Sequence, residues 1–101
     1  MASRLDLQSL LETLLGSKNV YFQPPPSYKI SYPCIVYSLK NIRSKFADNI
    51  TYRYLKEYTV TVIDANPDSE IPEKVLNLKR ASFDRRFSPD GLNHDVFNIL
   101  F

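Results

Sequence analysis

Leu7, Leu10, Leu11, Leu14 and Leu15 recur at i, i+3, i+4, i+7 and i+8, the spacing of one apolar stripe on a helix. Ser3 and Asp6 stand three apart, as in a capping box with Asp in place of the usual Glu. Gly16 sits where a left-handed C-terminal cap is needed. The pattern predicts a helix from about Arg4 to Leu15. Val20-Tyr21-Phe22 predicts a short strand, ended by Pro24-Pro25-Pro26, which lacks backbone donors and favours a stiff polyproline II connector. Pro33 then opens a strand from Cys34 to about Ile42, since proline suits a first strand position. The polar, basic stretch Lys40–Asn49 reads as a mobile hairpin loop.

Thr51 to Asp64 predicts the longest strand. Tyr52, Tyr54, Tyr58, Val60 and Val62 share one face, interrupted by Lys56, while Arg53, Glu57, Thr59 and Thr61 fall on the other. A strand of this length exceeds what a small core needs, so its Tyr52–Lys56 half is expected to project as an arm. Ala65-Asn66-Pro67-Asp68-Ser69 is a turn ending in a helix N-cap, followed by a helix from Glu70 to about Lys79 with Pro72 in its first turn and Ile71, Val75 and Leu78 as its buried stripe. Phe83–Phe87 and Leu92–Phe101 read as a final hairpin around Ser88-Pro89-Asp90-Gly91. The order α-β-β-β-α-β-β predicts an α+β fold: an antiparallel or mixed sheet of four to five strands with two helices packed on one face.

The length of 101 residues corresponds to a single domain, residues 1–101. Hydrophobic residues make up 44% and charged residues 24%, an ordinary soluble composition, and a net charge of +2 does not by itself argue for nucleic acid. A lone cysteine, Cys34, excludes an intramolecular disulfide and lies in the apolar run Cys34-Ile35-Val36-Tyr37, where a small buried thiol is expected. Asp6 within a polar-punctuated helix pattern does not read as a signal peptide, and no apolar run reaches the length of a membrane span, so no membrane partner is expected. With two glycines there is no Gly-rich phosphate cradle.

Candidate chemistry is sparse. His94 and Asp95 are adjacent on a predicted strand, so they point to opposite faces and Asp95 is badly placed to orient the imidazole. Asp64, Asp68, Glu70 and Glu73 cluster at the start of the second helix, where the helix dipole accounts for them. One histidine and one cysteine are too few for a zinc site without several carboxylates at a fitting spacing. No enzyme, cofactor or metal is therefore expected. Basic residues gather at Lys40, Arg43, Lys45, Arg53 and Lys56, and again at Lys79, Arg80, Arg85 and Arg86. They suggest either solvated faces or an electropositive rim that passes nucleic acid without reading its sequence. The basic-Gly-aromatic-Gly-aromatic pattern of an RNA-recognition fold is absent.

The leading helix, the short strand, the Pro-rich connector, Tyr32-Pro33-Cys34-Ile35-Val36-Tyr37, the strand Tyr58-Thr59-Val60-Thr61-Val62-Ile63-Asp64, a helix and the tail Phe83-Asp84-Arg85-Arg86-Phe87 with Asp90-Gly91-Leu92-Asn93-His94-Asp95 occur in that order. Taken together, this arrangement resembles the tail-terminator, or tail-completion, proteins of tailed bacteriophages, over nearly the whole chain. The resemblance implies a structural virion protein assembled in the host cytoplasm. It implies a ring, usually of six subunits, that ends the tail tube at its head-proximal side and joins it to the head connector or stopper, with DNA passing through the lumen. It implies no catalytic residues. Tyr52, Arg53, Tyr54, Lys56 and Phe46 are then candidates for contacts with the neighbouring subunit or the tail-tube protein, and Lys40, Arg43, Lys45, Arg85 and Arg86 for the lumen. The alternatives are a head-completion or connector protein of the neck and a small nucleic-acid-binding module.

Overall fold

The computed structural model describes residues 4–25, 29–47 and 50–101; within it, side chains are described outside 43–55. The elements are α1 (Arg4–Leu15), β1 (Val20–Phe22), β2 (Cys34–Ala47), β3 (Ile50–Asp64), α2 (Ile71–Leu76), β4 (Ala81–Phe87), a 3-10 turn (Pro89–Gly91) and β5 (Asn93–Leu100). The fold is α+β, in the expected order, with a five-stranded mixed sheet. The strands lie in the order β1-β2-β3-β5-β4; β1 runs parallel to β2 and every other pairing is antiparallel.

Both helices pack on one face. Leu7 and Leu11 of α1 and Val75 of α2 close over Ile35, Tyr37, Tyr58, Val60, Val62, Phe97 and Ile99 from the three central strands. Leu14, Leu15, Ile71 and Leu78 pack around this core, so the leucine stripe and the Ile71–Val75–Leu78 stripe do what their spacing predicts. Gly16 has φ 82 and donates its N–H to the carbonyl of Glu12, the left-handed cap expected of it.

Tyr37 fixes α1 on the sheet. Its ring lies 5.0 Å from Phe22 and 5.9 Å from Tyr58, and its hydroxyl donates to Gln8 Oε1 and accepts from Arg4 Nη1. Gln8 in turn donates through Nε2 to the carbonyl of Val20 and to Glu12, so a single side chain links α1 to β1 and β2. Tyr37→Phe removes a donor that Gln8 needs. It is expected to cost about 1–2 kcal/mol in denaturant unfolding with an unchanged m-value.

Asp90 (φ 52) and Gly91 (φ 76) hold the two central positions of the turn closed by Leu92 N–H to the carbonyl of Pro89. Two successive positive φ values match the twist of a tight hairpin, and Asp-Gly tolerates them. The hairpin pairs Phe87 with His94 and Arg86 with Asp95.

Three boundaries differ from expectation. β2 continues to Ala47, so the stretch expected as a loop from Lys40 is largely strand. The ladder with β3 pairs this stretch as far as Ala47 opposite Ile50, while Lys40, Asn41 and Ile42 at its start are exposed, and a polar sequence without alternation gives no hydropathy period to read as strand. α2 ends at Leu76 instead of near Lys79, with Asn77 capping back to Glu73 and Val75. β4 begins at Ala81, two residues ahead of the expected Phe83. The last residue of the proline connector, Pro26, lies outside the described residues.

Candidate functional site

Strand alternation divides the sheet into a helix-covered face and a helix-free one. On the helix-free face, register pairs Cys34 with Ile63, Val36 with Thr61, and Ser38 with Thr59; Thr61 and Thr59 in turn face Val96 and Asn98. These are short or β-branched side chains, so the surface is flat. Cys34, Ile63 and Val96 are buried within it, while Val36, Ser38, Thr59, Thr61 and Asn98 are half-buried. At its margins lie Lys40 and Arg85. Lys40 Nζ sits 3.8 Å from Glu57 and 3.4 Å from Asn98 Oδ1. Arg85 pairs with Asp84 at 2.8 Å and lies 5.9 Å from the Phe87 ring, which stacks on His94 at 4.8 Å. Lys40 and Arg85 are themselves exposed, although Glu57 is buried, so part of their positive field reaches solvent.

Beyond the core, β2 and β3 continue as a two-stranded arm. Pairing with β1 ends at Tyr37 and pairing with β5 begins at Glu57, so among the described residues the ladder from Asn41 to Ala47 and from Ile50 to Leu55 has no third strand. Within it Lys45 stands directly opposite Arg53, and Arg43, two residues from Lys45, opposite Leu55. The side chains of Arg43, Lys45, Phe46, Tyr52, Arg53 and Tyr54 lie outside the described residues; only their strand positions are known. Lys56, at the base of the arm, exchanges both backbone hydrogen bonds with Phe101.

Arg86 takes a different place from the other basic candidates. It is on the helix-covered face and grips Asp95 with two bonds, Nε to Oδ1 at 2.6 Å and Nη2 to Oδ2 at 3.0 Å. Asp95 is buried, and the bidentate pair satisfies it while holding the guanidinium firmly protonated through that hydrogen bond and the carboxylate's charge. His94 faces the other way, its Nδ1 3.1 Å from the Leu92 carbonyl. The two neighbours do not form a catalytic pair.

Around Arg86 and Asp95 a cleft of about 450 Å³ opens between the start of α2 and β4. Pro67 and Pro72 form stiff apolar walls, Phe83 offers a ring that is 51% exposed, and Asp68 and Glu73 supply carboxylates at the rim. Sequence reasoning gave these acids only a helix-dipole role and missed the cleft. The signal lay in the Asp90-Gly91 turn: centring the hairpin there aligns Arg86 with Asp95, and the bulge between Phe83 and Arg85 then brings Phe83 opposite Phe97.

Comparison with family models, with curated proteins and with solved structures finds no match to this chain. The surfaces themselves therefore carry the functional reading. Among the described residues no group of three or more His, Cys, Asp or Glu could hold a metal ion, and no helix is long and apolar enough to cross a membrane.

Cys34 offers a titration instead of chemistry. Burial, with a smaller contribution from the charge of Asp64, pushes its thiol from 9.0 up to about 11. The folded state thus resists deprotonation that the unfolded chain accepts. Stability from this group is complete below the unfolded value and is lost as pH rises from about 9 towards 11. Cys34→Ala is expected to flatten that part of a urea-unfolding pH profile, while thiol reagents label the native protein slowly.

Proposed function

We propose that the protein is a structural subunit of a tailed-bacteriophage virion, of the tail-terminator type. In this reading it assembles into a ring that ends the tail tube at its head-proximal side and receives the head connector. The observation that carries this reading is the extended two-stranded arm, which leaves a small, fully formed core and, among the described residues, presents two strand edges without a further strand, in a basic, tyrosine-rich sequence. Free edges of that length favour strand or side-chain contacts with another chain. A repeated heterologous contact closes into a ring when its rotation closes.

The rest of the surface fits the same role. The helix-free face, with its half-buried Val36, Ser38, Thr59, Thr61 and Asn98, offers contact area of short side chains. Lys40 and Arg85 occupy exposed positions suited to passing a polyanion without reading it, since exposed cations act on phosphate at any sequence. A neck protein of the connector type would share the ring but bind adaptor rings in place of tail tubes. The test is imaging and light scattering of purified protein with and without tail tubes. A closed ring seated on one end of the tubes supports the proposal, and a protein that stays monomeric at high concentration and ignores tubes overturns it.

A further inference from the structure

Two stretches of the chain differ sharply in charge. Residues 40–56, which make the arm and its base, hold five basic residues and one acid. Residues 64–73, which form the turn after β3 and the start of α2, hold four acids and no base. β3 separates the two groups: it begins at Ile50 in the arm and ends at Asp64 beside the cleft. Its 15 residues span roughly 50 Å at strand rise, close to the 51 Å length of the molecule. A continuous paired strand cannot fold its tip back onto its own far end, so the arm of one copy reaches a cleft only on another.

We infer that the cleft between α2 and β4 is the socket for the β2–β3 arm of a second copy. The chemistry matches on both sides. The arm carries Lys45 in register with Arg53, and Arg43, Phe46, Tyr52 and Tyr54, in its sequence, a basic and aromatic set that a carboxylate-rimmed partner complements. The cleft carries Asp68 and Glu73 at an exposed rim, proline walls and the half-exposed ring of Phe83, which accepts a cation or another ring on its face. Arg86 does not oppose this, because its charge is met by Asp95 at the base of the cleft. Opposite charge at the two ends also orients copies before contact, which raises the rate of correct encounter.

The inference rests on the ring reading only in that both require copies to meet. A charge swap tests it. One full-length variant carries Asp68→Lys and Glu73→Lys; another carries Lys45→Glu and Arg53→Glu. Asp68 and Glu73 are exposed, so the first variant is expected to keep its circular dichroism and melting temperature. Each variant alone is expected to self-associate at least about tenfold more weakly than the parent in sedimentation velocity, and an equimolar mixture to recover the parent's affinity, because each arm then meets a cleft of opposite charge. If both variants associate as the parent does, or if the mixture shows no recovery, the socket assignment is wrong even where rings still form. If the swap behaves as expected but the product is an open chain or a reciprocal dimer, the socket stands and the ring reading falls. A parent protein that never associates overturns the socket outright.

Discussion

Phe97→Ala is expected to destabilise the monomer by about 3–5 kcal/mol, the range for removing a large aromatic side chain from a closed core. Phe97 is buried at the centre of β5, where register sets it between Val60 of β3 and Phe83 of β4. Its ring meets Phe83 edge-on at 5.4 Å, and the helices close over the same cluster. Neighbouring strands hold the backbone on both sides, so the site cannot collapse into the space left behind. The loss combines transfer free energy, cavity and the aromatic contact, and in a domain of 101 residues it removes a large part of the total stability. Urea unfolding followed by far-ultraviolet circular dichroism measures it. A loss under about 1 kcal/mol would mean that the hairpin relaxes around the cavity, contrary to its double pairing.

The elements that were legible in the sequence are those whose burial follows a period. The leucines of α1 announce a helix because one stripe is covered and the other is wet, and Gly16 announces its end through backbone geometry. Tyr58, Val60 and Val62 announce β3 for the same reason, at period two. The β2 side of the arm was not legible as a strand because Lys40–Ala47 carries no alternating apolar pattern in its sequence. The strand there is seen through its ladder with β3, and a ladder depends on a partner that hydropathy does not see.

The candidate site was legible in part for a related reason. Basic residues can be counted from sequence, but which of them remain available depends on cross-strand partners. Arg85 and Arg86 are adjacent in the chain, yet one lies exposed beside Phe87 and the other is held by buried Asp95. The cleft was hidden because its walls come from the turn and helix start at 67–73 and from the β4–β5 hairpin, whose relative placement no local pattern records. Only the hairpin register joins them.

Replacing residues 44–54 by Asn-Gly is expected to abolish self-association while leaving a folded monomer. The parent register pairs Arg43 with Leu55, so a two-residue type I′ turn joins them without disturbing Ile42 opposite Lys56 or any pairing nearer the core. All pairing of β3 with β5 lies at Glu57 and beyond, and the β1–β2 pairing lies at Ile35 to Tyr37. The melting temperature of the shortened chain is therefore expected to change little, while sedimentation velocity changes from assembled species to monomer. The decisive comparison is between that result and the Phe97→Ala result. A core substitution lowers stability first and assembly only as a consequence, so assembly returns when the protein is stabilised by cooling towards its stability maximum or by an osmolyte. Loss of the arm removes the contact itself, and neither condition restores it. If the shortened chain still assembles at the parent's concentration, the arm is not the contact surface, and the flat helix-free face must carry the association alone.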